Sequence, residues 1–449
     1  MKWKTAAFVF TAIIIFSGVY GWHEYKVFNA VPISRLAAGS NYPEMPPDEY
    51  HHYLQIPIDH NNPSLGNFTD FYLFNPEFKA KDNVVFWLCD NQQEAVGLRD
   101  SWEEFDANLG GLSYVLMGNR GVYPTLFPEV FNEDGSINYT LAMTLYGSNE
   151  QIDDIEAIRQ DMQNKGLLPE NGKIMVYGRS GGGVLVQQYL DKYGDHVSRA
   201  LIEASGSPNQ ARVHNTTFMK NTYTSNPRLA SSYFALSQKG DAAPSMAFML
   251  YMIGQGGDTE LQKKIANSKI ESLSLVDRLT YLKNWLVPSN NFPLVCLLFN
   301  APRELEVKVR LYELIADDLE DYSPASHQEV CLGYEWAKVL LVDFIDARKE
   351  GSIHTMQISP NHSSYRGEVM VWSGTADQVF SVEMGQWLSD AYPNSRLAVF
   401  NDSHQFQRDQ DYYRDFRRAF FTAGLNSSVV QAYFEDPRQL NAESRRISL

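Results

Sequence analysis

The segment Val176-Tyr177-Gly178-Arg179-Ser180-Gly181-Gly182-Gly183-Val184 restricts the fold more than any other. It contains Gly-x-Ser-x-Gly, filled by Gly178, Ser180 and Gly182. An apolar run at residues 173–177 leads into it, and a helical pattern at residues 184–193 leaves it. That context makes the short motif a sharp strand-to-helix turn. A serine at such a turn adopts strained backbone angles, and the residues two positions away must be small for the chain to fold back. The turn lifts the hydroxyl out at the carboxyl edge of a sheet. It also aims the Gly181 amide at a developing oxyanion, near the start of the next helix. The plain alternative is a Gly-rich turn without chemistry. A phosphate-binding loop fits poorly, because no Gly-Lys-Ser/Thr follows.

The rest of the chain supplies a sheet for this turn. Residues 67–74, 83–88, 113–117, 199–202, 368–372 and 396–400 are short runs rich in Val, Leu and aromatics. Such runs suit strands buried on both faces. Residues 149–165 place Ile152, Ile155, Ile158 and Met162 at helical spacing, and residues 184–193 and 382–392 are also helical. Alternation of this kind predicts an α/β fold with a mainly parallel sheet covered on both faces. It lapses between residues 206 and 366, where helices are expected at 245–253, 273–286, 305–319 and 334–348. The expected organisation is a sheet domain in two parts, 31–205 and 367–449, interrupted by a helical insertion at 206–366.

A serine hydroxyl is a weak nucleophile without a base. With Ser180 as nucleophile, this turn calls for an acid and then a histidine later in the chain. Asp377 follows the run Val369-Met370-Val371-Trp372 and a Gly374 turn, and His404 follows the run ending at Phe400. In the general logic of such triads, His404 takes the serine proton and returns it to the leaving group, while Asp377 fixes the imidazole tautomer. His362 precedes the acid strand and breaks the order, as do His196, His214, His327 and His354. Asp402 is the rival acid, but it sits two residues from His404 on the same loop. As alternatives without chemistry, His404 is a surface-loop histidine and Asp377 a helix cap.

Composition bounds the partners. Asp and Glu total 54 against 38 Lys and Arg, a net charge of -16, which argues against nucleic acid. Residues 1–30 carry Lys2 and Lys4 before an uncharged stretch from Thr5 to Trp22, the pattern of an export signal. Two fates stay open: cleavage, or retention as a single N-terminal membrane anchor. Either places the catalytic part outside the cytoplasm, in the periplasm, secreted or membrane-tethered. Of the three cysteines, Cys89, Cys296 and Cys331, the last two could pair or stay as thiols. No metal-ligand spacing occurs and no cofactor is expected.

At these residues the chain resembles the α/β-hydrolase superfamily, and within it the proline iminopeptidase and tripeptidyl aminopeptidase family. The likeness rests on short stretches within residues 50–210 and 366–420. They are Leu54-Gln55-Ile56-Pro57-Ile58-Asp59-His60, Asn119-Arg120-Gly121-Val122, the helix Asp154-x-Glu156-x-x-Arg159, Gly374-Thr375-Ala376-Asp377, and Ser403-His404. The resemblance implies that the insertion at 206–366 is a cap over the site. It also implies that cap carboxylates hold a substrate ammonium group, with Asp241, Asp258, Glu260, Glu271, Asp317 and Asp318 as candidates. The sequence departs from the family in two places. Cys89-Asp90-Asn91-Gln92-Gln93 stands where the family has His-Gly-Gly-Pro, so the second oxyanion amide would come from Asn91, with Asp90 an unfavourable neighbour if it points inward. Asn119 stands where the family has Asp before its Arg-Gly turn, and Arg120 reads as structural.

The expected function is an exported serine hydrolase, a peptidase cleaving short units from peptide N-termini. The alternatives are a carboxylesterase or lipase on the same triad, and a non-catalytic binding protein of the same fold. Its partner is expected to be a small peptide or ester substrate.

Overall fold

A computed structural model describes residues 51–90, 102–120, 127–134, 136–238, 244–266, 305–353 and 357–435. The leader at 1–30, the expected helix at 273–286, Asn91, Cys296 and His354 lie outside the described residues.

Eight strands form one sheet: β1 (His51–Pro57), β2 (Asn67–Phe74), β3 (Val84–Trp87), β4 (Ser113–Met117), β5 (Ile174–Arg179), β6 (Val197–Glu203), β7 (Glu368–Gly374) and β8 (Ser395–Phe400). Their order is β1-β2-β4-β3-β5-β6-β7-β8. β2 runs antiparallel to β1 and β4, and the pairs from β4 through β8 are parallel. Parallel strands covered on both faces read as continuous apolar runs, and Val84, Val85, Phe86, Val115, Val176 and Val371 are fully buried. This is the α/β-hydrolase fold.

Side chains that alternate along the strands feed two large cores. Val84, Phe86, Val176 and Ile202 face one layer, while Val85, Tyr177, Leu201 and Trp372 face the other. The first layer contains α1 (Ser148–Asn164), which buries Ile152, Ile155, Ile158 and Met162. It also contains α2 (Gly181–Tyr193), which starts directly at the Ser180 turn.

The charges of α1 are structural. Asp154 takes Arg120 through two hydrogen bonds of 2.6 Å. Arg120 also donates to the carbonyls of Ile58 and Leu145 at 3.0 and 2.7 Å. Glu156 binds Arg159 at 2.7 Å. Removing one partner of such a buried pair costs about 3–5 kcal/mol, because the other charge is left without a counterion.

The chain between β6 and β7 is helical where described. Its α3 (Pro244–Gln255) and α4 (Thr259–Ala266) share a small core of their own, with Leu250, Ile253, Leu261 and Ile265 packed on Leu229, Tyr233 and Leu332. The long helix α5 (Leu305–Glu320) belongs elsewhere: Val309, Leu311, Tyr312 and Ile315 join the main core beside α1 and α2. The helix expected at 334–348 is two helices, Leu332–Leu340 and Val342–Lys349. They break at Leu341, whose φ of -99° and ψ of 12° leave the helical region.

Candidate active site

The strand register brings three loops to one edge. Arg179 pairs with Glu203, Glu203 with Trp372, and Gly374 with Phe400. The chain therefore leaves β5, β7 and β8 on the same carboxyl side, where open parallel sheets place their sites.

Ser180 is the residue between β5 and α2. Its φ is 51° and its ψ -124°. A non-glycine residue in that region stores strain of about 1–3 kcal/mol and persists only where its surroundings enforce it. The glycines around it are steric necessities. A Cβ on Gly178 would collide with the Gly182 carbonyl oxygen, and one on Gly183 would strike Ser205. The turn is tied to its neighbour strand by the Ser180 amide on the Glu203 carbonyl at 3.0 Å. The Ser205 hydroxyl donates to the Ser180 carbonyl at 2.6 Å. Ser180 itself is partly exposed.

Asp377 and His404 meet on the neighbouring loops. His404 Nδ1 lies 2.9 Å from Asp377 Oδ2, and both side chains are buried. The other carboxylate oxygen, Oδ1, accepts the amides of Val379 and Phe380 at 2.7 and 3.1 Å. Lys220 donates to the Asp377 carbonyl at 3.1 Å. Burial lowers the pKa of this lysine. The two loops interlock: Ala376 N donates to the Asp402 carbonyl at 3.0 Å, and Thr375 N to the Phe400 carbonyl at 2.8 Å. Gly374 must be glycine here, because a Cβ would strike the Asp402 carbonyl. Phe380 covers the imidazole with ring centroids 5.8 Å apart.

The elbow and the histidine loop touch through adjacent residues. Arg179 Nη2 donates to the Gln405 carbonyl at 2.9 Å, joining the neighbour of Ser180 to the neighbour of His404. The same guanidinium pairs with the fully buried Glu203 at 3.0 Å. Glu203 also holds Arg417 at 2.7 Å.

The rival groups are occupied. Asp402 accepts the amides of Ser403 and Arg408 and the hydroxyl of Tyr413. His362 Nε2 lies 3.0 Å from Gln187 Oε1, and burial pushes its pKa down to about 4. His196 sits 3.1 Å from Glu156, and His214 stacks on Trp387 with centroids 4.1 Å apart.

The loop after β3 is anchored where it begins. Gln151 Nε2 donates to the Cys89 carbonyl at 2.9 Å, and Asn119 Nδ2 to the Asp90 carbonyl at 3.2 Å. Asp90 is fully buried, and its Oδ2 pairs with Arg310 of α5 at 3.1 Å. The sequence gives no warning of this pairing. Arg310 sits on an amphipathic helix far along the chain, where a lone arginine reads as solvated.

The helical insertion reaches the site edge. The turn between α3 and α4 lies on both loops: a Cβ on Gly257 would touch Ser403, and one on Gly254 would strike Gln378. Gln262 and Gln378 exchange hydrogen bonds of 3.0 and 3.1 Å. Of the candidate carboxylates in the insertion, Asp241 and Glu271 lie outside the described residues. The other four have structural partners. Asp258 accepts the Leu261 amide at the start of α4, and Glu260 pairs with Lys263. Asp317 pairs with Arg348, and Asp318 accepts the Phe218 amide and the Tyr334 hydroxyl.

Cys331 is a buried free thiol. Burial pushes its pKa up to about 12, which keeps it protonated and unreactive at neutral pH. Among the described residues, no group of His, Cys, Asp and Glu side chains is arranged to hold a metal, and no helix is long and apolar enough to cross a membrane.

No protein-family model matches the chain, and no curated protein matches it. Among solved structures it is similar to an alpha/beta hydrolase enzyme from a Medee basin deep-sea metagenome library. The identity is 11% over 82% of this chain and 94% of that one, with a TM-score of 0.37. It is also similar to a probable hydrolytic enzyme of Pseudomonas aeruginosa PAO1, at 11% identity over 83% of this chain and 95% of that one, with a TM-score of 0.39. An esterase of Exiguobacterium antarcticum is 14% identical over 79% of this chain and 96% of that one, with a TM-score of 0.35. One fold hosts many chemistries, so any activity has to be argued from Ser180, Asp377, His404 and the groups that hold them.

Proposed function

We propose that the chain is an exported serine hydrolase in which Ser180, His404 and Asp377 act together. The observation that carries this reading is the Asp377–His404 hydrogen bond of 2.9 Å on loops leaving the same sheet edge as the strained Ser180. In the proposed cycle, Ser180 Oγ attacks the substrate's acyl carbon while His404 Nε2 takes the hydroxyl proton. The tetrahedral oxyanion is held by the Gly181 amide and, by resemblance to the family, by the Asn91 amide. Collapse breaks the bond to the leaving group, which receives the proton from His404. Water, deprotonated by the same imidazole, then attacks the acyl-enzyme, and the proton passes back to Ser180 as the acid leaves. Asp377 holds the imidazole, with Oδ1 pinned by two amides and Oδ2 on Nδ1.

The substrate reading follows the family resemblance: peptides with free N-termini, from which short units are released. A chromogenic panel of N-terminally free and N-acetylated peptides tests it. Faster cleavage of the free forms is expected, and equal cleavage of both, or none of either, would sink the aminopeptidase assignment. A carboxylesterase on the same triad is the second reading. It is favoured by the four candidate carboxylates that are described, Asp258, Glu260, Asp317 and Asp318, which are engaged in structural bonds rather than offered to an ammonium group. Rapid turnover of short acyl esters without amide hydrolysis would decide for it. Labelling by a fluorophosphonate, abolished by Ser180→Ala, separates both from a silent binding protein. Export rests on Lys2, Lys4 and the uncharged stretch after them. Tracking the full chain with and without that leader in a secretion-competent host tests it.

A further inference from the structure

The helix after the nucleophile opens with three glycines, Gly181, Gly182 and Gly183. Glycine has more backbone freedom than any other residue, so this first turn is intrinsically loose. Yet an oxyanion donor works only if its direction is set before the reaction. Beyond the backbone bond from the Ser180 amide to the Glu203 carbonyl, side chains supply restraint. Three are visible. The Ser205 hydroxyl holds the Ser180 carbonyl at 2.6 Å. Gln187 Nε2 holds the Gly183 carbonyl at 3.1 Å. Arg310 Nη2 holds the Gly181 carbonyl at 3.1 Å.

Arg310 differs from the other two. It arrives from α5, in the helical insertion, and is almost completely buried. The same guanidinium reaches Asp90 Oδ2 at 3.1 Å, Gln188 Oε1 at 3.3 Å and Glu313 Oε2 at 3.2 Å. One planar fork thus joins the residue after the nucleophile to the start of the loop after β3 and to the body of α2. Glu313 extends the clamp, since its Oε1 accepts the Ser148 amide at 3.0 Å at the start of α1. Arg310 also answers the carboxylate of Asp90 with an adjacent cation, so that this buried charge does not act alone on the elbow.

We infer that Arg310 is a positioning residue that fixes the Gly181 peptide for oxyanion stabilisation by bridging its carbonyl to Asp90. The inference rests on the serine hydrolase reading above. A lysine at this position keeps a charge for Asp90 and Glu313. It lacks the planar fork that spans Asp90 and the Gly181 carbonyl together.

The test uses the full chain with 4-nitrophenyl acetate as substrate and a phenylboronic acid, which adds to the serine as a tetrahedral anion. Arg310→Gln and Arg310→Lys are compared with wild type, with folding checked by circular dichroism. In Arg310→Gln, kcat is expected to fall by about thirtyfold with KM within about threefold, and boronate affinity to fall in parallel. Arg310→Lys is expected to lose about tenfold in kcat. It decides the question alone if the glutamine variant does not fold. A folded variant with wild-type kcat would overturn the inference. So would a lower kcat with unchanged boronate affinity, because the loss would then not lie at the oxyanion. If wild type is labelled by a fluorophosphonate at Ser180 and the variants behave as wild type, only this inference falls. If wild type is not labelled, the serine hydrolase reading falls and takes this inference with it.

Discussion

Asp377 and Asp402 are two buried carboxylates on interlocked loops, and they are bonded differently. Both accept backbone amides. Asp402 uses Oδ1 for the Ser403 amide at 2.7 Å, and Oδ2 for the Arg408 amide at 2.9 Å and the Tyr413 hydroxyl at 2.8 Å. Asp377 uses Oδ1 for two amides and turns Oδ2 to His404 Nδ1 at 2.9 Å. Burial does not separate them, and both carboxylates are held by several hydrogen bonds. The separating feature is one oxygen directed at an imidazole. A carboxylate whose oxygens both hold loop groups shapes a loop, whereas one with an oxygen on Nδ1 can select a tautomer and stabilise an imidazolium.

That contrast can be broken most sharply at Asp377. Asp377→Asn is expected to lower kcat by about 10⁴ while the protein stays folded, because an amide can present the wrong tautomer to the imidazole. Steady-state turnover with circular dichroism checks it, and a loss under about tenfold would end the distinction.

Acid stability comes next. His362 is buried with its pKa pushed down to about 4 from the ordinary 6.5. The unfolded chain takes up this proton near pH 6.5, while the folded chain resists until about pH 4. Stability is therefore complete above pH 6.5 and falls by about 3 kcal/mol as pH drops to 4. Urea unfolding of wild type and His362→Gln across that window checks it, and the variant should show a flatter dependence. This slope belongs to a histidine outside the Ser180, His404 and Asp377 set that reaches the elbow through Gln187, so it sharpens the comparison by reporting on unfolding rather than on the imidazole of His404.

Asp402→Asn is expected to cost about 2 kcal/mol of stability and to leave kcat within about threefold in the folded protein. Urea denaturation and turnover on the same sample test both parts. A collapse of kcat in a folded Asp402→Asn protein would erase the contrast with Asp377. Tyr413→Phe removes one of the bonds to Asp402 Oδ2 and should cost about 1 kcal/mol with no change in kcat, measured the same way.

Much of the sheet was readable from the chain. The parallel strands are buried on both faces, so Val84–Trp87, Ser113–Met117 and Glu368–Gly374 stand out as apolar runs. β1 is an edge strand with partly exposed residues and two leading histidines, so it shows no such run. The break at Leu341 was hidden because apolar residues at helical spacing continue across it. The candidate carboxylates of the insertion were unreadable for another reason. Asp318 finds the Phe218 amide 100 residues away, and no local pattern encodes that.

The elbow is a matter of local sterics. A Cβ on Gly178 would meet the Gly182 carbonyl within one turn, so the glycine spacing around the strained Ser180 follows from nearby residues. Chain order likewise pointed to His404 as the expected base and Asp377 as the expected acid, with Asp402 as the rival two residues from the histidine. Tertiary structure placed Asp377 Oδ2, and not an oxygen of Asp402, on His404 Nδ1, a contact that depends on how β7 and β8 are paired. It also brought Arg310 to Asp90 across 220 residues of sequence. Steric strain is decided by neighbours along the chain. The partner of a buried charge is decided only when the fold closes around it and removes water as the alternative.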